Sequence, residues 1–195
     1  MQVKTSERLF GLERFLECDQ LMIKILLDFL SKEDLPIMQY YICWILSNLL
    51  ASENSIPFDR ILYDNGALDI LLKIITTNNN KSEDLYIQII WVLGNFFASE
   101  NIPFEEITSK IYPLCKIIIN NINVENEEMS IWTVANMLKG NVPIKETEFN
   151  ELLMVFLNIL YKNENDNVAL DIYSLISKYI CKEFSFDFLK MIFLR

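Results

Sequence analysis

Short apolar segments alternate with polar turns along most of this chain. The clearest apolar segments are residues 21–30, 68–75, 111–119 and 152–160. The polar turns that follow them are residues 31–34, 78–84, 120–127 and 162–167. With four Gly and five Pro among 195 residues, and 52% hydrophobic residues, the composition is that of a densely helical protein rather than a hairpin-rich or disordered one. The pattern predicts an all-α fold.

A second kind of helical segment follows each of the first three turns, and it carries a Trp four residues before an Asn. The three pairs are Trp44/Asn48, Trp91/Asn95 and Trp132/Asn136. Successive Trp residues are 47 and 41 positions apart. A period of about 40 to 47 residues is typical of solenoid repeats built from two or three helices. The sequence therefore predicts a helical repeat array.

A related phrase that contains proline follows each Trp-bearing segment and marks the joint between repeats. The phrases are Ser55-Ile56-Pro57-Phe58, Asn101-Ile102-Pro103-Phe104 and Asn141-Val142-Pro143-Ile144. We expect each Pro at the first position of a helix, where its fixed φ is favourable and its missing N–H costs nothing. Each repeat would then contain a short helix, a middle helix and a longer third helix with the Trp/Asn pair.

Four such units, at residues 8–52, 53–99, 100–140 and 141–195, account for the chain as a single repeat domain. In the last unit, Tyr173 and Ser177 stand where Trp and Asn would fall. The apolar tail at 184–194 is expected to cap this unit or to bind another molecule, including a second copy of the chain, because solenoid ends otherwise need polar outer faces.

The Trp/Asn pairs are predicted to face away from the core. At about 100° per residue, the positions two before the Trp and one, two and five after it form one stripe of the helix. The stripe comprises Ile42, Ile45, Leu46 and Leu49 in the first unit, Ile89, Val92, Leu93 and Phe96 in the second, and Ser130, Thr133, Val134 and Met137 in the third. Trp and Asn share another face, about 130° from the centre of that stripe.

A small residue, Ser47, Gly94 or Ala135, stands three positions after each Trp. The distance between packed helices depends on the side chains at their contact, so small residues there allow neighbouring third helices to lie close together. Stacked repeats would then expose rows of Trp and Asn on their concave surface. A role of the Trp/Asn pairs in packing between repeats alone is the alternative.

Rows of Asn and Trp suit the recognition of an extended, positively charged peptide. An Asn amide can both donate to and accept from a peptide main chain, whatever side chains the peptide carries. Parallel indoles form slots for the methylene stems of Lys or Arg, with a cation–π attraction of roughly 0.5 to 2 kcal/mol per contact. Acidic residues beyond the slots would bind the charged ends, and the candidates are Glu53, Glu100, Glu127 and Glu128.

The formal net charge of −10 favours a basic partner and argues against nucleic-acid binding, which requires a cationic surface.

Cys18, Cys43, Cys115 and Cys181 lie far apart without metal-ligand spacing, so we expect buried, reduced thiols and no metal or other cofactor. Residues 1–19 lack the apolar stretch of a signal peptide, and no apolar run reaches the ~18 residues of a membrane helix. We therefore expect a soluble intracellular protein without a membrane or nucleic-acid partner.

Enzymatic activity is not expected from this sequence. The chain contains no His, which excludes Ser-His and Cys-His nucleophile pairs and His metal sites. It contains no P-loop, G-x-G-x-x-G motif or Asp-rich calcium loop. Its adjacent carboxylates, such as Glu105-Glu106, are typical of solvated helix ends.

The Trp-bearing segments resemble the third helices of armadillo repeats. They read Trp44-Ile45-Leu46-Ser47-Asn48-Leu49, Trp91-Val92-Leu93-Gly94-Asn95-Phe96 and Trp132-Thr133-Val134-Ala135-Asn136-Met137. The phrase Asp64-Asn65-Gly66-Ala67-Leu68 similarly resembles the joint between the first two helices of such repeats. The resemblance covers roughly residues 21–180 and implies a right-handed, armadillo-type superhelical solenoid of about four three-helix repeats. Among armadillo proteins, the consecutive Trp/Asn pairs are most similar to importin-α, the adaptor that binds nuclear localisation signals.

This resemblance implies a peptide-binding groove for Lys/Arg-rich linear motifs of cargo proteins, and a location in the cytoplasm and nucleus. The implied groove residues are Trp44, Asn48, Trp91, Asn95, Trp132 and Asn136. The family carries Gly-Asp shortly after the second Asn, and that Asp binds a critical lysine of the signal. This chain has Ala98-Ser99-Glu100 there, so Ser99 and Glu100 are further candidates for the peptide-binding site. Lys139 stands where the family often has Arg.

The chain also departs from importin-α, which has about ten repeats and a basic N-terminal segment that binds importin-β. Residues 1–19 hold three basic residues, so we expect no recruitment of importin-β in the usual way, and another transport factor could take its place. Two hypotheses remain. The chain is either an adaptor for basic nuclear localisation signals, or a generic armadillo scaffold, assembly or regulatory protein without a transport function.

Overall fold

The computed structural model describes residues 20–52, 57–77, 82–99, 101–139, 144–162 and 166–183. Within these ranges the chain forms α-helices joined by short turns, with no strand, which confirms the predicted all-α fold. The helices are α1 over residues 20–30, α2 (Pro36–Ala51), α3 (Phe58–Asp64), α4 (Ala67–Thr77), α5 (Glu83–Ala98), α6 (Phe104–Asn120), α7 (Glu127–Lys139), α8 (Glu146–Lys162) and α9 (Asp166–Glu183). Residues 1–19, Glu53, Glu100, the third joint at 141–143 and the apolar tail at 184–194 lie outside the described residues.

The chain packs as two compact units, Met1–Ile102 and Pro103–Arg195. In the first unit, α2 lies along α5, and α4 packs against α3 and α5. In the second unit, α7 lies along α9, α6 packs against α7 and α8, and α8 packs against α9. The four repeat boundaries expected from the sequence stay predictions, although the division between the units falls close to the expected boundary at residues 99 and 100.

The first two helices of a repeat are separate in the first unit and continuous in the second. Between α3 and α4, Gly66 adopts φ 78°, and its N–H donates to the carbonyl of Tyr63 at 2.9 Å. This left-handed conformation ends α3 at no steric cost because Gly has no Cβ. The sequences of α6 and α8 contain no Gly, so each continues as a single 17-residue helix. Each of the two repeats expected in the second unit therefore contains two helices, α6 with α7 and α8 with α9, where the sequence pattern predicts three.

The predicted apolar stripes form much of the interior. All four stripe residues are buried on α5 (Ile89, Val92, Leu93, Phe96) and on α7 (Ser130, Thr133, Val134, Met137). On α2 the prediction is wrong at Ile45, which is 38% exposed, although Ile42 and Leu46 are buried. Val92 stands at the same position of α5 and is 1% exposed, because α5 packs along the preceding Trp-bearing helix, α2. Within the described ranges no Trp-bearing helix precedes α2, so Ile45 lacks such a neighbour.

The proline joints lie one residue earlier than predicted. Pro57 and Pro103 are the residues just before the first helical residues of α3 and α6, not the first helical residues themselves. A proline there still fixes the chain at the entry to the helix, and helix ends are defined only to within about one or two residues. Ser82 caps α5 by accepting a hydrogen bond from the N–H of Leu85 at 3.3 Å.

Cys43 and Cys115 are buried free thiols, as the sequence predicts for them. Burial raises the pKa of Cys43 to about 12 and also raises the pKa of Cys115, because a thiolate is poorly solvated in an apolar interior. These two thiols therefore act as small apolar packing groups. None of the described helices combines the length and the apolar character that a bilayer-crossing helix requires.

A side-chain hydrogen bond joins the two Trp-bearing helices of the first unit. Asn95 Nδ2 on α5 donates to the main-chain oxygen of Ser47 on α2 at 3.1 Å. Ser47 and Gly94 are buried, as expected of small residues where two helices approach closely. Asn48 Nδ2, in contrast, donates at 2.8 Å to the carbonyl of Trp44, one turn earlier in its own helix. Of these two bonds, the Asn95 bond is the one that links helices.

Replacing Asn95 with Ala is expected to lower the free energy of unfolding by about 0.5 to 1.5 kcal/mol more than replacing Asn48 with Ala. Both substitutions exchange the same residue types within a helix, so their effects on helix propensity cancel in the comparison. Urea denaturation of the two single variants measures the difference. Equal effects would show that the Asn95–Ser47 bond makes no net contribution to the packing of α5 on α2.

Candidate functional site

The Trp/Asn pairs of the first unit lie at the surface of α2 and α5. Trp44 is 50% exposed and Asn48 is exposed, whereas Trp91 and Asn95 are half-buried. Each Trp shares a helix face with its Asn because the two are four residues apart. The buried residues of the same helices, such as Leu46, lie on the opposite side. The first unit thus presents both aromatic rings and both amides to solvent, at least in part.

The two pairs lie side by side. The amide of Asn95 reaches the carbonyl of Ser47, and Ser47 immediately precedes Asn48 in α2. Asn48 and Asn95 both donate Nδ2 to a main-chain carbonyl. Their Oδ1 atoms are therefore the side-chain atoms that can accept hydrogen bonds from another molecule. Two amide acceptors flanked by two indoles form one surface, which we call the amide surface (Trp44, Asn48, Trp91 and Asn95).

A cleft of about 740 Å³ opens beside Asn95, at the C-terminal end of α2. Its lining includes the end of α2 (Leu49, Leu50, Ala51, Ser52), the start of α3 (Pro57, Phe58, Asp59) and the end of α5 with the following turn (Asn95, Ala98, Ser99, Asn101). The last carbonyl groups of a helix have no partner within the helix and carry the negative end of its dipole. This α2 cleft therefore combines the C-terminal end of a helix with the carboxylate of Asp59.

Asp59 is a carboxylate in the wall of the α2 cleft, 7% exposed, in the first turn of α3. The hydroxyl of Ser99 and Nδ2 of Asn101 donate to Oδ2, the latter at 2.8 Å, and the N–H of Arg60 donates to Oδ1 at 2.8 Å. Burial alone would raise the pKa of Asp59, but the hydrogen bonds outweigh burial and lower it below the ordinary range of aspartate. Asp59 is therefore ionised at neutral pH.

Sequence patterns alone do not single out Asp59. The available signal is that an acid follows Pro-Phe in both of the first two joints, Asp59 after Phe58 and Glu105 after Phe104. An acid in the first turn of a helix is ordinarily explained by the helix dipole. Only the fold shows that Asp59 faces Ser99, which is 40 residues later in the chain.

The second unit places a different acidic cleft beside its Trp/Asn pair. Trp132 and Asn136 are half-buried on α7. Trp132 lines a cleft of about 420 Å³ together with Glu128 of α7 and Asp171 of α9. Asn167 Nδ2 donates to Glu128 Oε1 at 3.2 Å and links the two helices. Burial, and then the charge of Glu128, raise the pKa of Asp171 above that of an ordinary aspartate.

The C-terminal end of α7 binds a lysine from the same unit. Lys178 Nζ on α9 donates to the carbonyl of Leu138 at 2.5 Å and to the carbonyl of Lys139. The hydroxyl of Tyr179 also donates to the carbonyl of Leu138, at 3.3 Å. A cation at this position satisfies carbonyls that have no partner within the helix and lies at the negative end of the helix dipole.

The candidate residues divide between the two units. The first unit contains Trp44, Asn48, Trp91, Asn95 and Ser99, and the second contains Trp132 and Asn136. Two predicted acidic residues, Glu53 and Glu100, fall outside the described residues. The peptide-binding role of the whole set stays a prediction. In the part of the chain that the structure describes, no three His, Cys, Asp or Glu residues are grouped so that they could hold a metal ion.

Curated relatives of this chain are importin-α subunits. The chain is 25% identical over 148 residues to importin subunit alpha-1b of Oryza sativa subsp. japonica, covering 73% of this chain and 26% of that protein. It is 25% identical over 118 residues to importin subunit alpha-2 of Arabidopsis thaliana, covering 58% of this chain and 21% of that protein. The chain thus spans about a quarter of the length of these relatives. No family model matches the sequence.

A solved structure shares the fold. A designed armadillo repeat protein in complex with the peptide (KR)4 matches with a TM-score of 0.60 and 18% sequence identity, over 84% of this chain and 66% of that chain. At this level of identity the match concerns the fold, and the likeness to importin-α rests on the sequence matches. The chain therefore has an armadillo-type fold, and its sequence is similar to those of importin-α subunits.

Proposed function

We propose that this chain binds extended, Lys/Arg-rich segments of partner proteins, of the kind that act as nuclear localisation signals, and serves as an adaptor in nuclear import. The observation that carries the proposal is the Asn95–Ser47 hydrogen bond, because it sets two Trp/Asn pairs side by side. Oδ1 of each Asn would accept from N–H groups of the peptide. The indoles of Trp44 and Trp91 would bind the stems of its cationic side chains.

The α2 cleft suits the ammonium group of a peptide lysine. Asn95 belongs to both the amide surface and the lining of the cleft, so a side chain that leaves a peptide at Asn95 can enter the cleft directly. There it would meet the terminal carbonyls of α2 and the ionised carboxylate of Asp59. Ser99 would act through its hydrogen bond to Asp59. A negative charge is thus available in this cleft independently of Glu100.

Charge and similarity support the same class of partner. The net charge of −10 attracts basic segments over distances of about a Debye length, ~8 to 10 Å at moderate salt. The importin-α relatives and the designed protein, which was solved with a Lys/Arg peptide, make a basic peptide the first ligand to test. The proposal includes shuttling between cytoplasm and nucleus.

A generic armadillo scaffold without peptide recognition is the second candidate. The same Asn95 bond favours it, since the amide already serves the packing of α5 on α2. In that case the Trp/Asn pairs would matter for the stability of the unit but not for any Lys/Arg cluster. The titrations below separate the two functions.

A peptide of the type Lys-Lys-Lys-Arg-Lys is expected to bind with a Kd of about 1 µM to tens of µM. A control peptide of equal charge, with its lysines spread apart, should bind more weakly because it cannot fill neighbouring slots. Fluorescence anisotropy at two salt concentrations measures both affinities. Trp91→Ala should weaken binding of the clustered peptide by about 2 kcal/mol, as the loss of a central aromatic anchor does. Equal binding of both peptides that salt abolishes would instead favour the scaffold.

Asp59→Asn is expected to lower the affinity for the clustered peptide about tenfold or more, because hydrogen bonds to a charged group contribute about 1.5 to 3 kcal/mol. The matched control is Asp64→Asn on the same helix, an exposed carboxylate paired with Arg60 at 3.0 Å, which should change the affinity less than about threefold. Denaturation of both variants checks that they fold. If the two variants bind the peptide equally, the α2 cleft does not receive a peptide lysine.

Lowering the pH is expected to weaken cation binding in the Trp132 cleft. The raised pKa of Asp171 means that this carboxylate is protonated, and loses its charge, at a higher pH than an ordinary aspartate. With Trp44 and Trp91 replaced by Phe, Trp132 is the remaining Trp of the three, and its fluorescence reports binding of the clustered peptide. Affinity should fall between about pH 7 and about pH 4.

Asp171→Asn is the control for this pH dependence. The variant should bind the clustered peptide more weakly at neutral pH and should lose most of the pH dependence over the same range. A pH profile unchanged by the substitution would show that Asp171 does not contact the bound cation.

A further inference from the structure

The end of α7 already shows how this protein binds a primary ammonium group. Two consecutive main-chain carbonyls, those of Leu138 and Lys139, converge on Lys178 Nζ. Tyr179, the residue after Lys178, stacks on Phe149 with ring centroids 4.6 Å apart, which fixes this part of α9 against α8. A compact ammonium with three donors suits convergent carbonyls, whereas the planar fork of an Arg side chain does not.

The corresponding residues of the first unit line the α2 cleft. Leu138 and Lys139 are six and seven residues after Trp132, and Leu50 and Ala51 are six and seven residues after Trp44. Leu50 and Ala51 line the α2 cleft. The helix ends of the two units are therefore equivalent in register. At this position the second unit has a lysine of its own, whereas the described residues of the first unit line a cleft.

We propose that Lys178 is an internal ligand that occupies a lysine-binding site at the C-terminal end of α7. The site would otherwise accept the ammonium group of a lysine side chain from another molecule. Lys178 thereby sets the specificity of the chain, because the second unit offers no ammonium site at this position while Lys178 is present. The inference rests on the proposed function in one respect: the α2 cleft is proposed to bind the ammonium group of a peptide lysine.

The chain offers a structural reason for such an internal ligand. At the end of α7, two main-chain carbonyls accept from the ammonium group of Lys178, and one of them also accepts from the hydroxyl of Tyr179. Carbonyl groups at a helix end destabilise the folded state when they are shielded from water and accept no hydrogen bond. A lysine from α9 satisfies them permanently, and it also links α9 to α7.

Lys178→Met tests the proposal, because Met keeps an unbranched apolar side chain and removes the ammonium. The probe is n-butylammonium, which reproduces the end of a lysine side chain, and tetramethylammonium is the control cation because it cannot donate hydrogen bonds. Amide chemical shifts of the full chain are followed by ¹H–¹⁵N NMR. In the variant, butylammonium should cause saturable shifts at Leu138 and Lys139 that tetramethylammonium does not cause. The wild-type chain and a Lys145→Met variant, which alters an exposed lysine of the same unit, should show no such shifts.

A folded Lys178→Met variant whose α7 end does not respond to butylammonium overturns the proposal. If the variant does not fold, the wild-type chain supplies the test. The ammonium protons of Lys178, assigned by comparison with Lys178→Arg, should exchange with water at least tenfold more slowly than those of the exposed Lys145. Exchange at the same rate would mean that Lys178 is not held by the carbonyls, which also overturns the proposal.

These measurements separate this inference from the proposed function. Butylammonium tests the end of α7 without any peptide, so a saturable response there supports the internal ligand even if the clustered peptide fails to bind. Conversely, peptide binding that perturbs Asp59 and Asn95 in the wild type, with no butylammonium response at α7 in the variant, retains the proposed function and rejects the internal ligand.

Discussion

The close approach of neighbouring Trp-bearing helices is the constraint on which the first unit depends. It requires a small residue on each helix, and Ser47 and Gly94 meet that requirement. It also brings a main-chain carbonyl of α2 within reach of the amide of Asn95, at 3.1 Å. The surface that carries the two indoles is thus fixed by the same packing that forms the core.

The buried face of each Trp-bearing helix could be predicted from the sequence because the same pattern occurs three times in one chain. Three Trp/Asn pairs and their stripes fix which face of each third helix is buried, and the stripes of α5 and α7 follow that pattern fully. Ile45 departs from it because burial depends on what packs next to a helix, not on its own sequence alone. The number of helices per repeat departs as well, since it depends on single residues such as Gly66 that stop a helix.

The two sites at the helix ends could not be predicted for a different reason. Asp59 meets Ser99 across 40 residues of chain, and Lys178 meets Leu138 across 40 residues. Such contacts depend on how far each helix extends and on the direction of its last turn, which periodicity does not encode. The Trp and Asn candidates were accessible to sequence reasoning because their spacing lies within a single helix. Carboxylates and ammonium groups that converge from different helices leave no comparable local pattern.

Gly66 has a consequence for the chemistry of the turn between α3 and α4. No atom lies within 4 Å of the place where a Cβ would be attached, so a side chain there would meet open space. The cost of an L-residue at φ 78° is therefore entirely one of backbone handedness. A D-residue, for which a positive φ is favoured, would avoid this backbone cost, and it would restrict the unfolded chain more than glycine does. The turn is selective for chirality rather than for size.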